Sequence, residues 1–343
     1  MGLMSELASK YKTVSIVGMA KNAGKTTALN FLIEEAMDEG LLLGVTSTGR
    51  DGESTDLVTA TDKPKVYLDE GTIVSVPVQL FDLAEGGLEI VRRTRFGSSI
   101  GDILLCRVME AGYVQIAGPV ATMDTKKMYE EMFELGCELV MIDGAIDRKS
   151  IASPETSDAV ILSTGAVISR TMKKVVEETA YIVGLYTTDV LNDDKARQLI
   201  EEDGDKDIVM LIDEQDGELK LRMLDHLTTG LGNSKKINEA ISENTKYVYI
   251  PGAFSDSVID DISLKNLKQV EFILKDPTRV FIKSIKWGQL RKKGFTVSVL
   301  QNIKVAAVTV NPTSPQGYSF EHEALRDAMQ KAIPDIPVID VRL

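Results

Sequence analysis

The stretch Thr13–Thr27, TVSIVGMAKNAGKTT, decides the fold, because an apolar run stops at a glycine and leads through small and polar residues into Gly-Lys-Thr-Thr. A phosphate-binding loop requires a buried strand, a glycine-rich turn whose backbone N–H groups point inward, and a helix whose N-terminus faces the anion. TVSIV supplies the strand, Gly18 to Gly24 the turn, and the apolar spacing after Thr27 the helix, which Gly40 can end. The stretch therefore predicts a P-loop.

Each residue type in this loop suits one part of a nucleotide bound with magnesium. Lys25 is expected to act as the catalytic cation on the β and γ phosphates, and the Thr26 hydroxyl to bind Mg²⁺. The loop departs from the strict G-x-x-x-x-G-K-[ST] pattern, because five residues rather than four separate Gly18 from Gly24. An accidental Gly-Lys-Thr is the alternative, but strand, loop and helix agree. The residues predicted to contact the nucleotide are Gly18, Asn22, Ala23, Gly24, Lys25, Thr26 and Thr27.

A second carboxylate is expected at the end of a neighbouring buried strand, where it holds the magnesium ion through water. The stretch CELVMIDGAIDRKS at 137–150 fits, since an apolar strand runs into Asp143 and Gly144 follows. We expect Asp143 to be the second metal residue beside Thr26; the alternative is a plain turn at a strand end. Asp147 and Arg148 follow, and their spacing leaves an ion pair, a switch and a partner contact all open.

The polar stretch TSTGRDGESTD directly follows the second predicted strand, at 46–56. In folds of this class the end of that strand faces the γ phosphate, so Asp51 and Glu53 are candidates to bind magnesium or orient the attacking water, and Arg50 is a candidate phosphate contact. The alternative is a solvated glycine turn. Two glycines around Arg-Asp favour a loop, 47–56, that moves with the nucleotide.

The composition excludes several classes of protein. A formal net charge of −13 argues against a broad nucleic-acid or anionic-membrane surface, and no run approaches the ~18 apolar residues of a membrane span, so a cytoplasmic protein is expected. Cys106 and Cys137 lie in apolar surroundings and predict buried side chains rather than a disulfide framework. His226 and His322 are too few for a zinc site or a His-based triad.

Short apolar runs alternate with helical patterns, which predicts an α/β protein with a mainly parallel sheet of P-loop NTPase type and crossover helices. We expect a nucleotide-binding domain at 1–195, with an inserted β-rich segment at 61–110, and a C-terminal α/β region at 196–343 that can complete the same sheet. The predicted strands are 13–17, 41–46, 113–117, 138–142, 158–163, 246–250, 304–310 and 337–341. The predicted helices are 25–39, 124–136, 169–184, 234–243, 262–274 and 321–332.

Two later turns follow apolar strands at the edge where open α/β sheets bind ligands. These are YIPGAFSD at 249–256 and VNPTSPQG at 310–317, in which Asn311 with Pro312 can hold a nucleobase; the alternative is an ordinary turn. The chain has no Asn-Lys-x-Asp guanine motif. ATP is therefore favoured over GTP as the cofactor, together with Mg²⁺.

Taken together, IVGMAKNAGKTT, TSTGRDGE, TDKPKVYL, ELVMIDGAIDRKS, YIPGAFSD and VTVNPTSPQGYSFE resemble the KamB family, the P-loop subunit of the reactivating factor for lysine 5,6-aminomutase. The longer loop spacing is also similar to dethiobiotin synthetase and the cobyrinic acid amide synthetases, in the same broad class as MinD-like ATPases. The resemblance implies an ATP-driven accessory protein that works with a MutS-like ATPase subunit. Its target would be an aminomutase of lysine fermentation that depends on adenosylcobalamin. Homodimerisation is common in the class, but no residue here demonstrates it.

Two other functions remain open at this stage. A ligase or kinase of the dethiobiotin or cobyrinate synthetase type would activate a small carboxylate, for which Arg50, Arg92, Arg93 and Arg95 are candidate contacts, although VRRTR at 91–95 also fits a solvated strand face. A regulatory nucleotide sensor would bind without appreciable hydrolysis. The reactivase function predicts an ATPase whose hydrolysis responds to partner proteins.

Overall fold

The computed structural model describes residues 2–48, 65–144, 154–203, 208–224, 227 and 229–341. It is an α/β structure with a large, mostly parallel central sheet, and its contacts divide the chain into two units. The first unit contains residues 1–180 and 304–343, and the second contains 181–303. The strands are β1 Thr13–Gly18, β2 Leu43–Ser47, β3 Val66–Leu68, β4 Ile73–Pro77, β5 Leu88–Ser98, β6 Gly101–Val108, β7 Gly112–Val114, β8 Leu139–Asp143, β9 Ala159–Gly165, β10 Met210–Gln215, β11 Glu218–Met223, β12 Thr245–Ile250, β13 Phe254–Ser255, β14 Glu271–Leu274, β15 Val280–Phe281, β16 Thr296–Val299, β17 Val305–Asn311, β18 Thr313–Ser314, β19 Tyr318–Ser319 and β20 Val338–Ile339.

Helices cover and connect these strands. They are α1 Leu3–Lys10, α2 Lys25–Asp38, α3 Thr122–Glu134, α4 Met172–Tyr186, α5 Asp194–Glu202, α6 Ser234–Ala240, α7 Asp256–Ile259, α8 Leu264–Gln269, α9 Ser284–Lys292 and α10 His322–Ala332. Gly40, with φ of 72°, follows the end of α2, and the Leu41 N–H bonds back to the Ala36 carbonyl, as expected of a glycine C-cap. Within the described ranges, every helix is too short or too polar to cross a membrane.

In the first unit the sheet order is β20-β17-β9-β1-β8-β2-β4-β6-β5 across the part of the chain that the structure describes. Neighbouring strands pair in parallel from β20 to β4. β6 pairs antiparallel with β4 on one side and with β5 on the other. After β1 the chain continues to β2, on the β8 side of β1. After β9 the next strand of this sheet is β17, which lies on the opposite side of β1. Strands that diverge in this way leave a crevice at their carboxyl ends, where open α/β sheets bind ligands.

The sheet separates two apolar layers because successive side chains of a strand point to opposite faces. On one face, Ile16 and Met141 pack with Leu29 and Leu32 of α2. The opposite face of β8 carries Val140 and Ile142, which pack with residues of α3. Both faces of the central strands are therefore buried, as near-continuous apolar sequences such as LVMID require.

The predicted insertion at 61–110 does not form a separate module over its described part. β4 pairs in parallel with β2, and β6 and β5 then extend the same sheet by antiparallel pairing. The strand predicted at 113–117 is the short β7, which pairs with β3 outside the main sheet. Because β5 lies at the edge of the sheet, exposed and partly buried side chains are mixed along it. This mixture explains the irregular apolar pattern of the 61–110 segment.

The second unit is a smaller α/β body with sheet order β11-β10-β12-β14-β16 in its described residues. Its contacts begin at Tyr181 and end at Ile303, so the division differs from the predicted boundary between 195 and 196. The last forty residues return to the first unit, where β17 pairs with β9. The predicted helix 262–274 is wrong in its second half, because 271–274 is β14, buried between β12 and β16.

Removing a buried apolar side chain from the central sheet should destabilise the first unit. Leu139 is fully buried in β8, whereas Leu83 is 55% exposed. We predict that Leu139→Ala lowers the free energy of unfolding by about 2–5 kcal/mol, because it leaves a cavity. Leu83→Ala should cost less than about 1 kcal/mol. Urea unfolding followed by far-UV circular dichroism measures both, and equal losses would contradict this assignment of the core.

Candidate functional site

The loop after β1 has a backbone suited to surround an anion. Asn22 and Gly24 both have positive φ, 66° and 96°, and α2 begins at Lys25 without a side-chain cap. The first helical bond runs from the Ala28 N–H to the Gly24 carbonyl, so the preceding N–H groups of α2 have no acceptor within the helix. These donors and the positive end of the helix dipole favour a negatively charged ligand.

The start of the loop is anchored on both its backbone and its side chain. The Met19 N–H donates to the Ser163 carbonyl of β9 at 2.9 Å. The Thr179 hydroxyl of α4 contacts the Met19 sulfur at 3.4 Å. The loop is thereby held against β9 and α4 before any ligand binds.

Lys25 and Asp143, which were predicted separately from the sequence, meet at the head of α2. The Lys25 Nζ lies 2.8 Å from Asp143 Oδ1 and also donates to the Gly144 carbonyl. Their side chains are only 12% and 13% exposed, so each charge compensates for the poor solvation of the other. Asp143 reaches this position because β8 pairs with β1, with Ile16 opposite Asp143.

Asn311, at the end of β17, packs against the loop between β1 and α2. Its Nδ2 donates to the Asn22 carbonyl at 3.3 Å, and its Oδ1 accepts the Thr313 N–H at 3.1 Å. A Cβ built on Gly24 would lie 3.0 Å from the Asn311 Cβ. The amide is therefore oriented by two bonds and stands directly beside the loop. Its predicted contact with a nucleobase stays a prediction.

A cleft begins at this contact. It is a small depression with room for about one water molecule. Thr27, one residue beyond the predicted metal residue Thr26, is part of its lining. The residues that line the cleft are Ala23, Gly24, Thr27, Thr309, Val310, Asn311, Pro312, Asp340 and Val341.

An acidic residue that the sequence did not single out forms part of this cleft. The Asp340 side chain is fully buried, and its Oδ2 lies 2.7 Å from His322 Nδ1. The two residues come from the end of β20 and the first turn of α10. No spacing in the sequence could indicate this pair, because it forms only when β20 joins the sheet.

Several predicted residues lie outside the described residues. These are Arg50, Asp51, Glu53, Asp147 and Arg148, together with most of the 47–56 loop. The roles expected for Asp51 and Glu53 stay predictions.

Three of the four arginines proposed for a carboxylate pocket, Arg92, Arg93 and Arg95, lie on the edge strand β5. Arg92 Nη1 is 2.7 Å from Glu134 and 3.7 Å from Glu131, both on α3. Hydrogen bonding to Glu134 raises the Arg92 pKa above its usual value. Arg93 and Arg95 are exposed. This arrangement agrees with a solvated strand face braced by α3.

The chain matches no protein-family model, no curated protein and no solved structure.

Replacing Gly24 should cost more stability than replacing another glycine of similar backbone conformation. Gly40 also has positive φ, but a Cβ there would meet nothing within 4 Å. Gly40→Ala should lose about 1–2 kcal/mol through backbone strain alone. We predict a larger loss for Gly24→Ala, because its Cβ also presses on Asn311. Chemical unfolding compares them, and equal losses would mean that the loop is not tightly packed on Asn311.

Proposed function

We propose that this chain is a P-loop nucleoside triphosphatase that binds ATP with Mg²⁺ and hydrolyses it. The observation that carries the proposal is the Lys25–Asp143 ion pair at the uncapped head of α2. A lysine that binds phosphate and an acidic residue that binds metal must stand side by side when the nucleotide is present. The fold brings the Lys25 Nζ and the Asp143 Oδ1 within 2.8 Å of each other.

The oxygen chemistry of these residues fits magnesium. Thr26 and Asp143 would hold the ion, since Mg²⁺ prefers hydroxyl, carboxylate and water oxygens. When bound, Mg²⁺ offsets the negative charge of the phosphates. On nucleotide binding, Lys25 exchanges the Asp143 carboxylate for phosphate oxygens, and the backbone N–H groups from Gly24 to Thr27 hold the remaining ones.

The position of Asn311 beside the loop supports a nucleoside contact next to the phosphates. Beyond its bonds to Asn22 and Thr313, the amide keeps one N–H donor and one acceptor lone pair, the complement of the N6 and N7 edge of adenine. Its two bonds, to Asn22 and Thr313, hold the amide in one orientation. The lack of a guanine motif in the sequence agrees with ATP as the cofactor.

The sheet order supports a P-loop NTPase type of fold. The loop follows the central strand β1, and β8 with the acidic Asp143 lies directly beside it. The chain diverges to either side of β1 and β9, so the loop lies at the crevice where such sheets bind ligands.

At the level of cellular role, we propose an accessory protein that helps reactivate an adenosylcobalamin-dependent aminomutase. The support is the resemblance of the sequence motifs to the KamB family. ATP binding would order the 47–56 loop and hydrolysis would release it. A MutS-like ATPase subunit and the mutase would bind through the C-terminal half and receive the conformational change.

The alternative ligase or kinase requires a basic pocket for a small carboxylate. Arg92 is already engaged by two glutamates, which weakens that alternative. A nucleotide sensor shares the same binding site, and only its hydrolysis rate distinguishes it.

Hydrolysis should depend on Lys25 and not on its neighbour in the loop. We predict that Lys25→Ala lowers the ATPase rate at least ~10²-fold, because the transition-state charge loses a preorganised cation. Lys21→Ala is the matched control, since Lys21 is exposed in the same loop, and it should retain most of the activity. Phosphate release with and without Mg²⁺ measures both, and equal rates would refute the P-loop assignment.

The accessory role predicts that partners change the rate. Hydrolysis by the chain alone should be slow, and adding the mutase with the MutS-like subunit should raise it several-fold. The same proteins should leave Lys25→Ala inactive. If partners have no effect while small carboxylates become phosphorylated, the ligase alternative is supported instead. ATP binding without turnover under every condition would indicate a sensor.

A further inference from the structure

Ser47, the last residue of β2, lies opposite Asp143 in the sheet. The parallel pairing of β2 with β8 sets Leu43 against Leu139, Val45 against Met141 and Ser47 against Asp143. Residues directly opposite each other on neighbouring strands project to the same face, with Cβ atoms about 5 Å apart. The Ser47 side chain is thus an immediate neighbour of Asp143.

The packing of the core identifies that shared face. Val45, two residues before Ser47, packs in the same cluster as Met141 and Leu29 of α2. Asp143 lies two residues after Met141, and its contact with Lys25 agrees with the same side. Ser47 therefore projects toward the α2 side of the carboxyl edge, as Asp143 does.

The backbone of Ser47 is fixed from two sides. The next residue, Thr48, donates its N–H to the Asp143 carbonyl at 3.2 Å, which extends the β2–β8 ladder beyond the strand. On the other side, a Cβ on Gly118 would overlap the Ser47 carbonyl oxygen. The Ser47 hydroxyl can therefore move mainly by rotation about the Cα–Cβ bond.

We propose that Ser47 is a third oxygen donor to the Mg²⁺ of the nucleotide site, beside Thr26 and Asp143, directly or through one water of the ion. This rests on the proposed function and adds a residue to its metal site. A serine hydroxyl is a hard oxygen ligand of the kind Mg²⁺ takes, and an ion bound by few protein groups keeps waters that such hydroxyls can hold. The β2 end would thereby link the metal to the adjoining 47–56 loop.

The test separates metal binding from nucleotide binding. The affinity for a non-hydrolysable ATP analogue is measured by calorimetry in Mg²⁺ and again in EDTA, for the wild type and for Ser47→Ala. Loss of a metal-supporting group typically weakens metal affinity by about 10–100-fold. Mg²⁺ should increase the affinity for the analogue. We expect Ser47→Ala to raise the Mg²⁺ concentration that gives half of this increase about tenfold. The affinity for the analogue in EDTA should not change.

A metal-exchange variant gives a second, independent readout. Ser47→Cys should bind the analogue poorly in Mg²⁺ but recover in Cd²⁺, because a thiolate prefers the softer ion. Ser98 supplies the matched control, since it is also the last, half-buried residue of a strand, at the end of β5. Ser98→Ala and Ser98→Cys should behave as the wild type in both metals.

The outcomes distinguish this inference from the proposed function. If Lys25→Ala binds the analogue as tightly as the wild type, the P-loop assignment itself fails. If Lys25→Ala abolishes binding while Ser47→Ala retains the full Mg²⁺ effect, and Ser47→Cys shows no preference for Cd²⁺, Ser47 has no part in the metal site and only this inference is overturned.

Discussion

The parallel pairing of β1 with β8 is the constraint on which the candidate site depends. It sets the end of the strand that leads into the loop beside the end of the strand that carries Asp143. Lys25, the first residue of α2, then meets that carboxylate at 2.8 Å. A shift of register by one residue would turn Asp143 to the α3 face and leave Lys25 without this partner.

The same pairing explains how an acidic chain can form a site for an anion. The net charge of −13 repels phosphate at long range, but that field is screened within about 10 Å at ordinary ionic strength. At short range the ligand meets Lys25, the N–H groups at the start of α2 and the positive end of its dipole. The Asp143 carboxylate compensates the Lys25 charge, so this poorly solvated cation has an anionic partner.

The carboxyl edge of the sheet collects polar groups that are distant in sequence. Ser47, Asp143 and Asn311 each end a strand. Asp143 contacts Lys25, Asn311 contacts Asn22, and Ser47 lies opposite Asp143. Along strands that are buried on both faces, polar side chains such as Ser163 and Thr309 are enclosed and bond to each other. The strand ends are where polar side chains can meet both a ligand and water.

Local patterns were sufficient for the elements with strong signals. The strand, loop and helix around Lys25 were predicted to within a residue, because the apolar period and the glycines act within a few residues of one another. The acidic strand end at Asp143 was equally clear. β10 and β14 were missed, since β10 runs into charged residues and β14 follows a helical pattern without a break.

The amino-acid sequence by itself determined the glycine-rich loop between β1 and α2, the acidic strand end and the α/β class, because each depends on residue type and short-range spacing. Only the tertiary structure decided that 304–343 returns to the first sheet, that Asn311 packs on Asn22, and that Ser47 stands beside Asp143. These contacts depend on strand order and register. Order and register arise from the burial of many side chains at once, so no single position in the sequence predicts them.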